Sequence, residues 1–252
     1  MSIKFDFCQS SFLVTGASSG IGLDVCEQLD RAGARLVLVA RDTERLETVV
    51  TGLEGRNHII APVDLSIPEG LDGWLVQRAA AVGGLNGIVH CAGIMGAKPL
   101  RGLVSSDWER AWNINVVAGA MLAKGFRKKN VHRENASFVF VSSVMGMVGQ
   151  AGQIVYSATK GALISMAKSM ALELARDNIR VNCVAPAAVM AGMTLDLERN
   201  IPEEQMDAIK RMHPLGLGEC SDVSNAILYL LACESKWITG TTLMIDGGYT
   251  AH

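Results

Sequence analysis

The chain has 252 residues, of which 49% are hydrophobic and 19% charged, with a formal net charge of −2. That length and apolar fraction support a sizeable core and exclude a disordered chain, and the near-neutral, interspersed charge excludes the basic stripe that neutralises nucleic-acid phosphates. The six cysteines are scattered without a CxxC pair, so they are expected to be reduced and structural, with no metal site.

Short β-branched runs alternate with helical periodicity along the whole chain. Strands are predicted over 11–15, 35–40, 58–63, 87–91, 137–142, 180–185 and 242–245. Helices are predicted over 21–32, 44–52, 71–81, 106–126, 155–175 and 222–233, each with apolar residues at three- and four-residue spacing. Repeated βα units of this kind predict one α/β domain over 1–252, Rossmann-like and doubly wound, with a seven-stranded parallel sheet flanked by helices. The stretch 187–213 breaks the pattern. Met190, Met193, Met206 and Met212 stand there among charges, and Gly192 and Pro202 interrupt any long helix, so it reads either as a flap over a pocket or as a surface excursion packed on the body. Residues 1–7 lack the apolar run of a secretion signal, and no stretch approaches the length of a membrane span; a cytoplasmic protein is expected.

The first βα junction reads Thr15-Gly16-Ala17-Ser18-Ser19-Gly20-Ile21-Gly22. Gly16 permits a tight turn, Gly20 lets backbone approach a pyrophosphate, and Gly22 lets the helix pack closely on the strand. The helix start then offers N–H groups and a positive dipole end to phosphates, which makes Ser18, Ser19 and Ile21 candidate binding residues beside the glycines. At the end of the second strand, about twenty residues on, an acid normally holds the ribose 2′-hydroxyl of NAD. Here Ala40 cannot do so, whereas Arg41 offers a planar fork to the 2′-phosphate of NADP unless it pairs with Asp42 or Glu44. The residues favour NADP(H) and leave NAD(H) open.

Tyr156 and Lys160 stand at i and i+4 on one face of a predicted helix, so a phenol and an ammonium can act together. Ser143 precedes Tyr156 by 13 residues at the C-terminal end of a predicted strand, the edge that faces the ligand crevice in open parallel sheets. With the glycine loop, Asp64-Leu65, His90-Cys91-Ala92-Gly93 and Asn115 in this order, the chain resembles a short-chain dehydrogenase/reductase over essentially its whole length. The resemblance implies that Asp64 contacts the adenine amino group with backbone support from Leu65, and that Cys91, Ala92 and Gly93 line the cofactor ribose. It implies that Ser143 holds the substrate carbonyl oxygen, that Tyr156 transfers the proton, that Lys160 lowers the tyrosine pKa and binds the nicotinamide ribose, and that Asn115 anchors a water relaying protons.

The chain departs from the family at several places. His90 and Cys91 replace two asparagines, and His90 reads as a structural, hydrogen-bonded imidazole. After the sixth strand Pro186 is followed by Ala187 where the family has glycine, and Ala191 takes the place of a threonine that meets the nicotinamide carboxamide. Val189 is left to supply backbone groups, with Thr194 as a displaced substitute. The C-terminal part, 237–248, resembles members that reduce 3-oxoacyl-(acyl-carrier-protein) or related ketones and packs in the family at a tetramer interface, so a homotetramer or homodimer is expected. Leu172 stands where those reductases often carry arginine. Arg127, Lys128 and Lys129 read either as a patch at the pocket mouth or as a solvated charge run at a helix end, and the second is favoured.

The expected activity is hydride transfer between NADP(H) and a small-molecule ketone or secondary alcohol. An NAD-dependent alcohol or sugar-nucleotide dehydrogenase and a catalytically silent dinucleotide-binding regulator are the alternatives. The substrate pocket is expected from 187–213 and 95–103, and Met145, Met147, Met190 and Met193 point to a hydrophobic substrate.

Overall fold

The computed structural model of the chain describes residues 5–55, 57–191 and 203–251. Seven strands, β1 (Ser11–Thr15), β2 (Arg35–Val39), β3 (Ile59–Ile60), β4 (Leu85–His90), β5 (His132–Val141), β6 (Arg180–Pro186) and β7 (Thr242–Ile245), form one parallel sheet in the order β3-β2-β1-β4-β5-β6-β7. Every residue of β1 and β6 is buried, as expected of strands covered on both faces.

Two-residue alternation divides the core into two layers. Leu13, Val37, Val39 and Ile88 pack with α3 (Leu71–Ala81), α5 (Ala118–Phe126) and α6 (Ile154–Leu174). Phe12, Val14, Leu36, Leu38 and Val89 face the other way, onto α1 (Gly20–Arg31), α2 (Thr43–Gly52) and α8 (Cys220–Leu231). Arg180 ties the second layer to the sheet. Its buried guanidinium donates to the carbonyls of Leu230 at 2.8 Å and Ala232 at 3.2 Å, where the last turn of α8 has no helical partners of its own.

The expected doubly wound sheet is present, with four local differences. The expected strand 58–63 is only two residues long as a strand. Pro62 has no N–H to donate, although Ala61 and Val63 still bond to Leu38 and Ala40. β5 begins five residues early, at His132, through the exposed residues Arg133, Glu134 and Asn135, which carry no apolar signal. The expected helix 106–126 is instead α4 (Ser105–Trp112), a π turn (Asn113–Val117) and α5. The stretch read as irregular contains a helix, α7 (Glu203–Arg211), which Pro202 precedes rather than interrupts. Gly192, Met193 and Thr194 lie outside the described residues, as does Pro202 itself.

The sheet order reverses between β1 and β4, whose last residues, Thr15 and His90, pair directly. The glycine loop after β1 and the Cys91–Gly93 turn after β4 therefore emerge side by side, at the crevice where open α/β sheets bind ligands.

Candidate active site

At Gly16 and Gly22 the glycine loop packs so tightly against its neighbours that a side chain is excluded. Gly16 has φ +69°, and a Cβ there would lie 3.0 Å from Ala92 N; one on Gly22 would strike the Gly16 carbonyl oxygen. At Gly20 the same test finds only Ala191 Cβ, at 3.9 Å, so the loop opens on that side. The α1 start has no side-chain cap and no acid in its first turn. Unspent N–H groups and the positive dipole end thus face an open cradle, which fits a phosphate.

The cradle is one end of a cavity of about 730 Å³. Its walls include Gly16, Ser19–Gly22, Cys91–Gly93, Ser143, Tyr156, Lys160, Pro186 and Val189, so most of the sequence-predicted residues meet here. Ser18, Arg41, Asp64, Leu65 and Asn115 do not line it. Arg41 and Asp64 are exposed and close enough for the Arg41 charge to act on the Asp64 carboxylate, and Leu65 and Asn115 are buried.

The chemistry-bearing cluster is built by the junction of β5 and α6. Ser143 stands two residues past the end of β5 and caps the short turn Val144–Gly146, its Oγ accepting from Met145 N–H at 3.2 Å. Ser142 Oγ donates to the Lys160 carbonyl at 2.7 Å, and Lys160 Nζ donates to the Val141 carbonyl at 2.8 Å, fixing the helix against the strand end from both sides. Lys160 Nζ stands 5.5 Å from the Tyr156 ring centroid. Burial pushes the Lys160 ammonium down to about 8. Burial also raises the Tyr156 phenol above its usual 10, with the Ser143 hydroxyl drawing it back in part. In this geometry the ammonium bonds to the Val141 carbonyl and stands beside the Tyr156 ring. Asn115, in the π turn, accepts from Ile94 N–H at 2.8 Å and donates to the Ile94 carbonyl at 3.0 Å and to Thr159 Oγ1 at 2.9 Å, clamping the turn after β4 onto α6.

His90 is fully buried against Phe140. Thr15 Oγ1 accepts the Ala92 N–H at 3.0 Å and is hydrogen-bonded to His90 Nδ1 at 3.0 Å. Burial, and then the nearby Lys160 charge, push the imidazole down to about 4. The neutral ring thus joins the end of β1 to the Cys91–Gly93 turn through Thr15, as a structural group. The unfolded chain, with its ordinary value of 6.5, binds more protons than the folded one between about pH 4 and 6.5, so stability falls as pH drops through that window. Thermal melts are expected to show this loss, by up to roughly 3 kcal/mol at about 1.4 kcal/mol per pH unit, and His90→Asn is expected to flatten it.

The outer walls correct the sequence reading of the pocket. Met145 lines it, but Met147 is 59% exposed and Met190 is not on the wall, while Met193 lies outside the described residues. Met95 alone represents 95–103, and α7 contributes Met206 and Ile209, followed by Met212 and His213. Apolar residues at 206 and 209 with His213 four further on are a helical stripe that the intervening charges obscured. Gln150, Gln153, Arg45 and Tyr249 also line the cavity and carried no sequence signal. Arg127 pairs with Glu173 and Asp177, and Lys128 with Asp72, away from the cavity, so that cluster is a solvated run at the end of α5.

A family described as enoyl-(acyl carrier protein) reductase matches residues 16–250. The human 3-oxoacyl-[acyl-carrier-protein] reductase is 33% identical over 236 residues, covering 93% of this chain and 95% of that protein. Nodulation protein G of Rhizobium meliloti is 34% identical over 245 residues, covering 97% and 98%. Among solved structures, a short-chain dehydrogenase/reductase of the glucose/ribitol dehydrogenase type from Brucella melitensis superposes with a TM-score of 0.90 at 30% identity, covering 98% of this chain and 99% of that one.

Proposed function

Because the chain belongs to the short-chain dehydrogenase/reductase family of oxidoreductases, whose members generally bind NAD(P)(H), we propose that it interconverts a ketone and a secondary alcohol with NADP(H). The observation that carries this reading is the meeting of the uncapped glycine-loop helix with Ser143, Tyr156 and Lys160 in one cavity.

In this reading the loop amides hold the pyrophosphate, Asp64 and Leu65 the adenine, Cys91 to Gly93 the ribose, and the backbone of Pro186 and Val189 the carboxamide. Bound nicotinamide supplies or receives the hydride. Ser143 Oγ holds the carbonyl oxygen beside Tyr156, whose raised pKa keeps it protonated at neutral pH and fits it to donate in the reducing direction. Lys160, with a value near 8, is charged at neutral pH and faces the ribose hydroxyls, while Asn115 anchors the water that returns protons. Met95, Met145, Met206, Ile209 and Met212 form an adaptable apolar wall suited to an uncharged, hydrophobic ketone. Residues 1–252 act as one unit. Leu172 and Trp237, 84% and 96% exposed, are apolar surface consistent with a homodimer or homotetramer.

Turnover of a panel of ketones and alcohols with each dinucleotide tests the activity, which fails if none is turned over with either. Cofactor choice rests on Arg41. Asp42, its nearest competitor, instead caps α2 and pairs with Arg45 at 3.4 Å, and among the described residues Arg41 makes no ion pair within 4 Å. Losing a charge-assisted bond to the 2′-phosphate in Arg41→Ala is expected to raise the NADPH KM at least about tenfold and leave NADH unchanged. An unaltered preference would refute the assignment.

A further inference from the structure

The backbone that follows β6, from Ala187 to Met190, is firmly held. The Ala188 carbonyl accepts from Gly218 N–H at 3.0 Å, Met190 N–H donates to the Gly218 carbonyl at 2.8 Å, and Ala187 N–H donates to Ile245 at 3.1 Å. Among the described residues, His213 is a side chain that bonds to this stretch. Its Nε2 lies 3.4 Å from Ala188 N, and its Nδ1 lies 2.7 Å from the Ile209 carbonyl in the last turn of α7. An amide can only donate and a carbonyl only accept, so the ring must be neutral with its proton on Nδ1. The imidazole is 4% exposed, lies 4.9 Å centroid to centroid from the Tyr249 ring, and forms part of the cavity wall.

We propose that His213 is a positioning residue. Through the Ala188 N–H it sets the backbone that presents Pro186 and Val189 to the nicotinamide end of the cavity, and through Ile209 it couples that backbone to α7, which carries the apolar wall. The inference rests on the proposed dinucleotide site.

Three variants separate the ring's hydrogen bonds from its packing. His213→Phe keeps an aromatic ring against Tyr249 and loses both bonds. His213→Gln places an amide group near Nε2 and can still accept from Ala188, and His213→Asn places one near Nδ1 and can serve only Ile209. Amide hydrogen exchange of Ala188 in the protein alone is expected to accelerate about tenfold in the Phe and Asn variants and to return toward wild type in Gln. Direct NADPH titration is expected to follow the same order, with about tenfold weaker binding in Phe and Asn. If wild type binds NADPH and all three variants match it in both measurements, or if the losses follow melting temperature with no rescue by Gln, the positioning role is wrong. If wild type binds neither dinucleotide, the proposed function fails and this inference with it.

Discussion

Replacing Tyr156 with phenylalanine is expected to lower kcat for carbonyl reduction by about a hundred- to ten-thousand-fold, the usual contribution of a positioned general acid. The change removes one oxygen from a half-buried ring and leaves the glycine cradle, Lys160 and the strand end untouched. Dinucleotide affinity is therefore expected to change little, so the loss belongs to kcat and not to KM. The same geometry fixes the pH dependence. Burial holds the phenol above its ordinary 10, so the protonated, donating form persists through neutral pH, and reduction is expected to decline only on the alkaline side. Full activity in the phenylalanine variant would remove Tyr156 from the chemistry.

Lys160→Met is expected to inactivate the protein by about a hundredfold or more while making it more stable, an opposition that a merely structural lysine would not show. Burial lowers the ammonium from its ordinary 10.5 to about 8, so the folded state holds this proton less tightly than the unfolded one. At about 1.4 kcal/mol per pH unit the burden of keeping the charge at neutral pH is roughly 3 kcal/mol. Methionine fills much of the same space without charge but leaves the Val141 carbonyl without its donor, a loss of about 1 kcal/mol, so a net gain of roughly 2 kcal/mol is expected. The unfolded chain binds the extra proton between pH 8 and 10.5. The wild-type contribution from Lys160 therefore recovers with rising pH across that window, and the advantage of the variant shrinks. Denaturant titrations of both proteins at neutral and alkaline pH measure this directly.

Both residues were legible in the sequence because helical spacing and the distance from Ser143 bring them together without help from the rest of the chain. The strands were legible for a similar reason. Central runs such as Leu36-Val37-Leu38-Val39 are buried on both faces, and only a parallel sheet between helices accommodates them. What escaped the sequence depended on partners distant along the chain. Asn115 sits in a π turn, and no local spacing distinguishes that from ordinary helix. α7 reads as a charged stretch, and its two cavity-facing residues, Met206 and Ile209, acquire meaning only when β6 and β7 lie beside them. His213 and Tyr249 are 36 positions apart and join as one wall through the bonds of 215–218 to Gly247 and Ala188. Spacing reveals the proximity of Lys160 and Tyr156 and not their burial, which is the largest influence on both groups.

Similar chains carry names as different as an acyl-carrier-protein reductase and a nodulation protein, so the outer wall of this cavity is the guide to its substrate. In this chain that wall is built of methionines from 95, 145, 206 and 212, flexible side chains that conform to apolar groups of varied shape. Several related hydrophobic ketones are therefore expected to be turned over in preference to polar or anionic ones.

The central claim is hydride transfer inside this cavity. The most direct measurement follows the label from reduced dinucleotide deuterated at the transferring carbon of its nicotinamide, incubated with the wild-type protein and the best ketone of the panel. The expected result is an alcohol carrying deuterium on the former carbonyl carbon, formed by wild type and lost in Tyr156→Phe while dinucleotide binding persists. Dinucleotide binding with no label reaching any carbonyl carbon would contradict the account.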